Sequence, residues 1–293
     1  MTKQLITKSL FNHLLYLFIA LISFETVANN NNNNNNNRIA ITVDGNSAPD
    51  FAHKWPTGDP DDIGATPATL AIMAKLKLQN KLVHYSYNNF IDAPAGPAKD
   101  NQMKISAEGS IKRWNFDSTR FFDVTTALIK AKKQLAEEIN KSTANDPLYI
   151  ILGGLAEFLY LTVEEVVKNG NIDALSYVHV ISHSGFNENH LRRKNHRTWN
   201  ETLALSENRM KYIKIHDQND CNNKNNLWCS KQDYSPYAWM KKHPDESVRW
   251  MYSRIVASGL ADISDCGMLY YLLVNDKNGN PEKFQEFIGN SVL

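Results

Sequence analysis

Residues 38–62 read RIAITVDGNSAPDFAHKWPTGDPDD. The opening run, Ile39–Val43, is short and apolar, so it reads as a buried strand. The closing residues lead into Asp62–Lys77, where Leu70, Met73, Ala74 and Lys77 recur at helical spacing. A buried strand feeding a helix is the unit of a parallel sheet, and the rest of the chain repeats it. Leu82–Tyr85, Leu148–Leu152, Tyr177–Ile181 and Met210–Ile215 read as further strands, the last weakened by Lys211 and Lys214. Asp123–Lys141 reads as a helix capped by Asp123 and stopped at Asn145-Asp146-Pro147. Thr162 and Glu165 have capping-box spacing, and Pro236–Lys242, Pro244–Ala257 and Ser264–Val274 read as helices. Strands separated by helices of this length imply crossover connections. The expected fold is α/β: a doubly wound, mostly parallel open sheet with helices on both faces.

Upstream of this unit the composition changes. Lys3 and Lys8 precede an apolar run, Leu14–Ile22, then Thr26-Val27-Ala28 and nine asparagines, Asn29–Asn37. The pattern predicts a signal peptide over 1–28, a disordered spacer over 29–37, one domain over 38–293, and a secreted or periplasmic protein. The apolar run is nine residues long, against about 20 for a membrane-crossing helix, so no integral membrane segment is expected. Without residues 1–37 the chain has 30 basic and 30 acidic residues. A neutral chain lacks the electrostatic footprint of a nucleic-acid binder, so a small molecule or a saccharide is the expected partner, and an oligomer is compatible with the sequence.

In doubly wound sheets ligands bind beyond the carboxyl ends of the strands. The segments there are 44–62, 86–90, 152–157, 182–190 and 216–220, and they are rich in Asp, Asn, His, Ser and Gly. Asp59, Asp61 and Asp62 crowd the first helix start, with Asp44 at the first strand's tip. Taken alone, Asp59 would cap the helix while Asp61 and Asp62 complement its dipole. Oxygen-rich clusters of this kind also suit a hard cation such as Ca²⁺. Far along the chain, Asp265 opens another apolar helix in Ala261-Asp262-Ile263-Ser264-Asp265-Cys266-Gly267-Met268.

Four segments in this order resemble the nucleoside hydrolase superfamily, with its inosine/uridine-preferring nucleoside hydrolase-like fold. The resemblance is to its divergent secreted branch, similar to the nucleoside hydrolase-like cellulose-binding proteins. They are the Asp61-Asp62 pair, Asn88 or Asn89 after the second strand, Leu152-Gly153-Gly154-Leu155-Ala156-Glu157, and Asp265. The resemblance implies one Ca²⁺ held by Asp62, Asp265, the Leu152 carbonyl and Asp44 or Asp59. It also implies that Asp44 or Asp59 is the general base toward water and that Asp61 holds a sugar hydroxyl. Asn88, Asn89, Asn187 and Asn189 would orient the sugar, and His183, a substrate-binding candidate, or His190 could substitute for the leaving-group acid, a His after a strand being otherwise a local hydrogen-bond partner. The implied activity is Ca²⁺-dependent hydrolysis of an N-glycosidic or related glycosidic bond, with a non-catalytic saccharide-binding protein on the same fold as the alternative.

This chain departs from the family pattern in three places. Seventeen residues separate Asp44 from Asp62 where the family loop is compact, and Ser264 stands where nucleoside-specific members carry a His. Ser182–His190 replaces the family's ribose segment.

Outside these segments, Cys221 and Cys229 bracket an Asn/Lys-rich loop and are expected to pair as a disulfide after export, leaving Cys266 buried and free. Trp55 and Trp199 are the candidate sugar-stacking platforms. No Walker loop, dinucleotide Gly motif, zinc His-Glu-x-x-His or nucleophile elbow is present.

Overall fold

A computed structural model describes residues 37–45, 58–92, 101–223, 228 and 233–289. The expected signal peptide, the spacer up to Asn36, Trp55 and Cys229 lie outside the described residues.

Six strands carry the fold: β1 (Arg38–Val43), β2 (Leu82–Tyr87), β3 (Phe121–Asp123), β4 (Leu148–Gly153), β5 (Val178–Ser182) and β6 (Lys211–Lys214). They form one sheet in the order β3-β2-β1-β4-β5-β6, and every pairing is parallel. The helices are α1 (Pro60–Lys75), α2 (Gln102–Trp114), α3 (Val124–Asn140), α4 (Glu157–Lys168), α5 (Gly185–Asn189), α6 (Trp199–Leu205), α7 (Glu246–Ser258), α8 (Cys266–Val274) and α9 (Pro281–Ile288). No described helix is long and apolar enough to cross a membrane.

The alternation of β1 shows why helices cover both faces. Ile39, Ile41 and Val43 enter one core with Leu70 and Met73 of α1, Met251 and Ile255 of α7 and Leu269 of α8. Ala40 enters the other with Ile150 and Leu152 of β4, Leu135 of α3, and Leu159 and Val163 of α4. Period-two alternation in a strand buried on both sides produces this division.

Most predicted elements match within two residues, and the exceptions have local causes. Thr162 sits in the middle of α4 rather than at its start, where its hydroxyl donates to the Phe158 carbonyl at 2.9 Å. Pro236–Lys242 belongs to a 3₁₀ helix, Ser235–Lys242. The helices α2, α5, α6 and α9 and the three-residue β3 were not anticipated.

The strand order places the crevice for a ligand. Chain direction across the sheet reverses at β1, because β2 and β3 lie on one side of it and β4, β5 and β6 on the other. In open α/β sheets this switch point, at the carboxyl ends, is where ligands bind. Val43 pairs with Gly153 there, so the next residues, Asp44 and Gly154, face the same crevice.

Candidate metal centre and its cavity

Asp44 leaves β1 only 2% exposed, and its Oδ1 accepts the Gly45 amide at 2.8 Å. The Asp59 amide donates to the Gly45 carbonyl at 3.2 Å, which ties Asp59 to the strand end. Asp59 therefore stands beside Asp44 and one residue before α1. Its side chain accepts no capping hydrogen bond from the helix, so the simple capping role read from sequence is absent. Asp62, in the first turn, is 1% exposed, and neither of its oxygens has a hydrogen-bond partner. Carboxylate oxygens of Asp44, Asp59 and Asp62 all lie within 4.8 Å of one another. Oxygens across a Ca²⁺ stand up to about 5 Å apart, so the three match one hard cation.

The end of β4 closes the site by close approach. A Cβ on Gly153 would lie 2.5 Å from Asp265 Oδ2, and one on Gly154 would lie 2.6 Å from the Asp44 amide nitrogen. Any larger residue would push the acidic strand ends apart. Asp265, at the start of α8, likewise makes no capping bond. Its Oδ1 instead meets His183 Nε2 at 2.8 Å.

These positions set the charge of the site. Burial, opposed in part by the Asp62 contact, pushes the Asp44 carboxyl up to about 6. Burial and the charges of neighbouring aspartates hold Asp59 and Asp62 well above the usual carboxylate range. Burial also raises Asp61, and it raises Asp265 against the opposing pull of His183. His183 responds in the opposite sense: burial alone would lower it, but Asp217 and Asp265 outweigh burial and raise it to about 10. Its Nδ1 lies 3.3 Å from Asp217 Oδ1 and 3.1 Å from the Gln218 amide. Those two partners compete, because the amide needs a bare nitrogen and the carboxylate a protonated one, whereas Nε2–H serves Asp265 in either form.

A cavity of about 240 Å³ opens over this cluster, lined by Asp44, Asp59, Asp61, Asp265, His183 and Asn187 among others. Asn187 belongs to its wall, although its amide NH₂ is spent on the Leu152 carbonyl at 2.9 Å and Ser182 Oγ at 3.2 Å. The Leu152 carbonyl also accepts from Ser182 Oγ at 3.0 Å, so two protein donors already engage the oxygen expected to ligate an ion. The carboxylates are the donors the geometry offers.

Several expected substrate contacts lie elsewhere. Asn88 and Asn89 are buried beyond β2 and are not lining residues; Asn88 donates to Asn101 Oδ1 at 3.2 Å and Asn89 to Ser86 Oγ at 3.3 Å. Asn189 is exposed, and its amide turns back to the Gly185 carbonyl at 3.1 Å. Trp199 is not a platform: it is 3% exposed and packs on Tyr212 in the core, at 4.7 Å between ring centroids. Its position at the start of an amphipathic helix, Trp199–Leu205, explains the correction, since that helix must bury one face. Cys221 is disulfide-bonded, and Cys266 is free and buried.

Reading strand ends found Asp217, Asn219 and Phe186 in the wall. It missed Leu260, which carries no chemical signal, and it gave no role to Asp262, whose Oδ1 accepts the Ser264 amide at 2.8 Å as any turn aspartate does.

The chain is similar to a curated protein of Formosa agariphila described as uncharacterized protein P22. The two are 30% identical over 259 residues, which cover 83% of this chain and 85% of the relative. No family model and no solved structure matches.

Proposed function

The chain belongs to the same family as uncharacterized protein P22 of Formosa agariphila, and we propose that it is a secreted or periplasmic, Ca²⁺-dependent hydrolase of an N-glycosidic, nucleoside-like bond. The observation that carries the metal part is Asp62. A carboxylate 1% exposed, with both oxygens unpartnered and two further carboxylates within 4.8 Å, calls for a cation that no described side chain of the cluster supplies. An all-oxygen donor set with loose spacing suits Ca²⁺, which tolerates irregular geometry better than Mg²⁺ does. Asp44, Asp59 and Asp62 would hold the ion, with Asp265 beside them.

The hydrolytic part draws on the resemblance to nucleoside hydrolases and on the wall of the cavity. A dication held there would supply positive charge that makes water more acidic and attracts sugar hydroxyls. Asp44 or Asp59 is placed to take a proton from the attacking water, and Asp61 to accept a hydrogen bond from a sugar hydroxyl. The water oxygen then attacks an anomeric carbon that has oxocarbenium character, which the surrounding carboxylates stabilise electrostatically. His183 would hold Asp265 in place through Nε2, 2.8 Å from Oδ1.

The test is purified protein with Ca²⁺ or with EDTA, assayed for base and reducing-sugar release from a panel of nucleosides and oligosaccharides. Metal-dependent release that Asp62→Ala abolishes is the expected result. Saturable saccharide binding with no release would overturn hydrolysis and leave a binding protein on the same fold.

A further inference from the structure

A second cavity, of about 510 Å³, opens between the 3₁₀ helix Ser235–Lys242 and α9. It is more than twice as large as the one over the aspartates and falls in the size range of ligand pockets. The helix α1 separates the two sites. It starts at the aspartate cluster and ends at Lys75, whose Nζ lies 5.2 Å from the centre of the Phe287 ring on α9. From Asp62 to Lys75 a helix advances roughly 20 Å, so a ligand in this cavity does not touch the metal centre.

Part of the lining is fixed by the fold. His243 is 7% exposed; its Nε2 donates to the Gly289 carbonyl at 2.7 Å and its Nδ1 accepts the Asp245 amide at 3.1 Å. Trp239 packs edge-on against that ring, at 5.8 Å between centroids. The rest of the lining carries unspent charge. Lys242 stands on the 3₁₀ helix, while Glu282, Gln285 and Glu286 stand on α9 at the spacing that puts side chains on one helix face. All four are exposed, and among the described residues none of their side chains makes a hydrogen bond or an ion pair. Lys283, between them in sequence, is spent elsewhere, on Asp276 Oδ2 at 2.6 Å and the Asn278 carbonyl at 3.0 Å. The like charges of Glu282 and Glu286, four residues apart, are therefore left to repel each other across an open cavity.

A ligand matched to this lining has a positive end for the carboxylate pair, a negative end for the ammonium of Lys242, and an apolar part for the indole. We propose that the cavity binds a short zwitterionic peptide. Its free amino terminus sits against Glu282 and Glu286, its terminal carboxylate on Lys242, and an apolar side chain against Trp239. The Gln285 amide, which both donates and accepts, serves the peptide bond between the two ends. The opposite charges stand on two different elements, so the site reads the separation of the peptide's termini as well as their signs. Binding of this kind involves no metal and no covalent step.

The test is calorimetry on the full chain with the dipeptide alanyl-phenylalanine, its N-acetyl form and its C-terminal amide, each with Ca²⁺ and with EDTA. The free dipeptide should bind, and each blocked form should bind roughly fivefold more weakly, the size of one exposed charge pair. Glu282→Gln combined with Glu286→Gln should remove the penalty for acetylation and keep that for amidation, and Lys242→Met should do the reverse. These side chains are exposed, so the variants should keep the melting temperature of the parent. Equal binding of the three forms, or no binding of the dipeptide at millimolar concentration, would overturn the proposal. Binding that requires calcium would place the peptide at the metal centre and overturn it too. Cellobiose, run alongside, would overturn it by binding more tightly than the dipeptide, which would assign the cavity to a neutral saccharide.

Discussion

Two buried carboxylates in this protein are treated in opposite ways. Glu138, 4% exposed on α3, is met by three cations: Arg38 Nη1 at 3.3 Å, Arg120 Nη1 at 3.2 Å and Lys141 Nζ at 2.7 Å. Asp62, 1% exposed on α1, has no partner for either oxygen and has Asp44 and Asp59 for neighbours. Where the fold needs a buried acid for its own cohesion, it surrounds it with cations, Lys141 from the next turn and Arg38 from 100 residues away. Around Asp62 it brings more acids, and the one imidazole in the cavity lining, His183, is spent on Asp265 and Asp217. An uncompensated buried charge costs several kcal/mol, so a cluster left in this state points to a cation from outside.

The largest way to break that contrast is to remove Glu138. Glu138→Ala should cost about 3–5 kcal/mol, because Arg38, Arg120 and Lys141 lose the carboxylate they share, although Arg38 keeps Asp146 Oδ2 at 2.9 Å. Urea unfolding measures it, and calcium should not alter the difference.

Next in size is the pH dependence of the metal-free protein. The Asp44 carboxyl is raised to about 6 from an ordinary 3.8. The folded state therefore binds more protons than the unfolded chain between those values. Its contribution is fully present below about pH 4 and is lost as pH rises through about 6, on the order of 3 kcal/mol for this one group. The chelated protein should thus lose stability from pH 4 to pH 7, opposite to the usual behaviour of paired carboxylates. Calcium at pH 7 should restore it, and at pH 6 should release protons, visible as a buffer-dependent binding heat. A chelated protein whose stability rises over that range would remove the electrostatic case for the site.

Asp62→Asn should act with the opposite sign to Glu138→Ala. Deleting one charge from an unpaired cluster should stabilise the metal-free protein by about 2 kcal/mol while abolishing its thermal response to calcium. If Asp62→Asn destabilises the chelated protein instead, the cluster is internally satisfied and the two carboxylates are alike.

The same contrast explains what was legible in the sequence. Runs rich in apolar residues such as Ile39–Val43 and Leu148–Leu152 announce buried parallel strands, because burial on both faces favours apolar side chains at every position. With the strands fixed, the strand-end rule reached Asp44, His183, Asn187 and Asp217 without any coordinates. Positions set by tertiary packing were not legible. Nothing local distinguishes Asn88, which donates to Asn101, from Asn187, which lines the cavity. Trp199 reads as a loop-edge aromatic until the helix it begins is seen to bury it. The partners of Glu138 show the same limit, since Arg38 lies 100 residues away and only the fold brings it there.

The smallest expected effect tests the geometry most finely. A Cβ on Gly154 would meet the Asp44 amide nitrogen at 2.6 Å and the Asp44 Cβ at 2.8 Å, both on a buried strand end that cannot swing aside. A Cβ on Gly185, at the start of α5, meets nothing within 4 Å. Gly154→Ala should therefore cost about 1–2 kcal/mol in stability, and Gly185→Ala close to nothing. The more telling difference is in the cation. Displacing Asp44 by a few tenths of an ångström leaves every carboxylate present but spoils their convergence, so Gly154→Ala should weaken calcium binding by roughly ten- to a hundredfold. Calorimetry on the two variants decides it: equal affinities would mean that the acids attract the ion only by their summed charge, and that the close approach of β4 to β1 has no part in holding it.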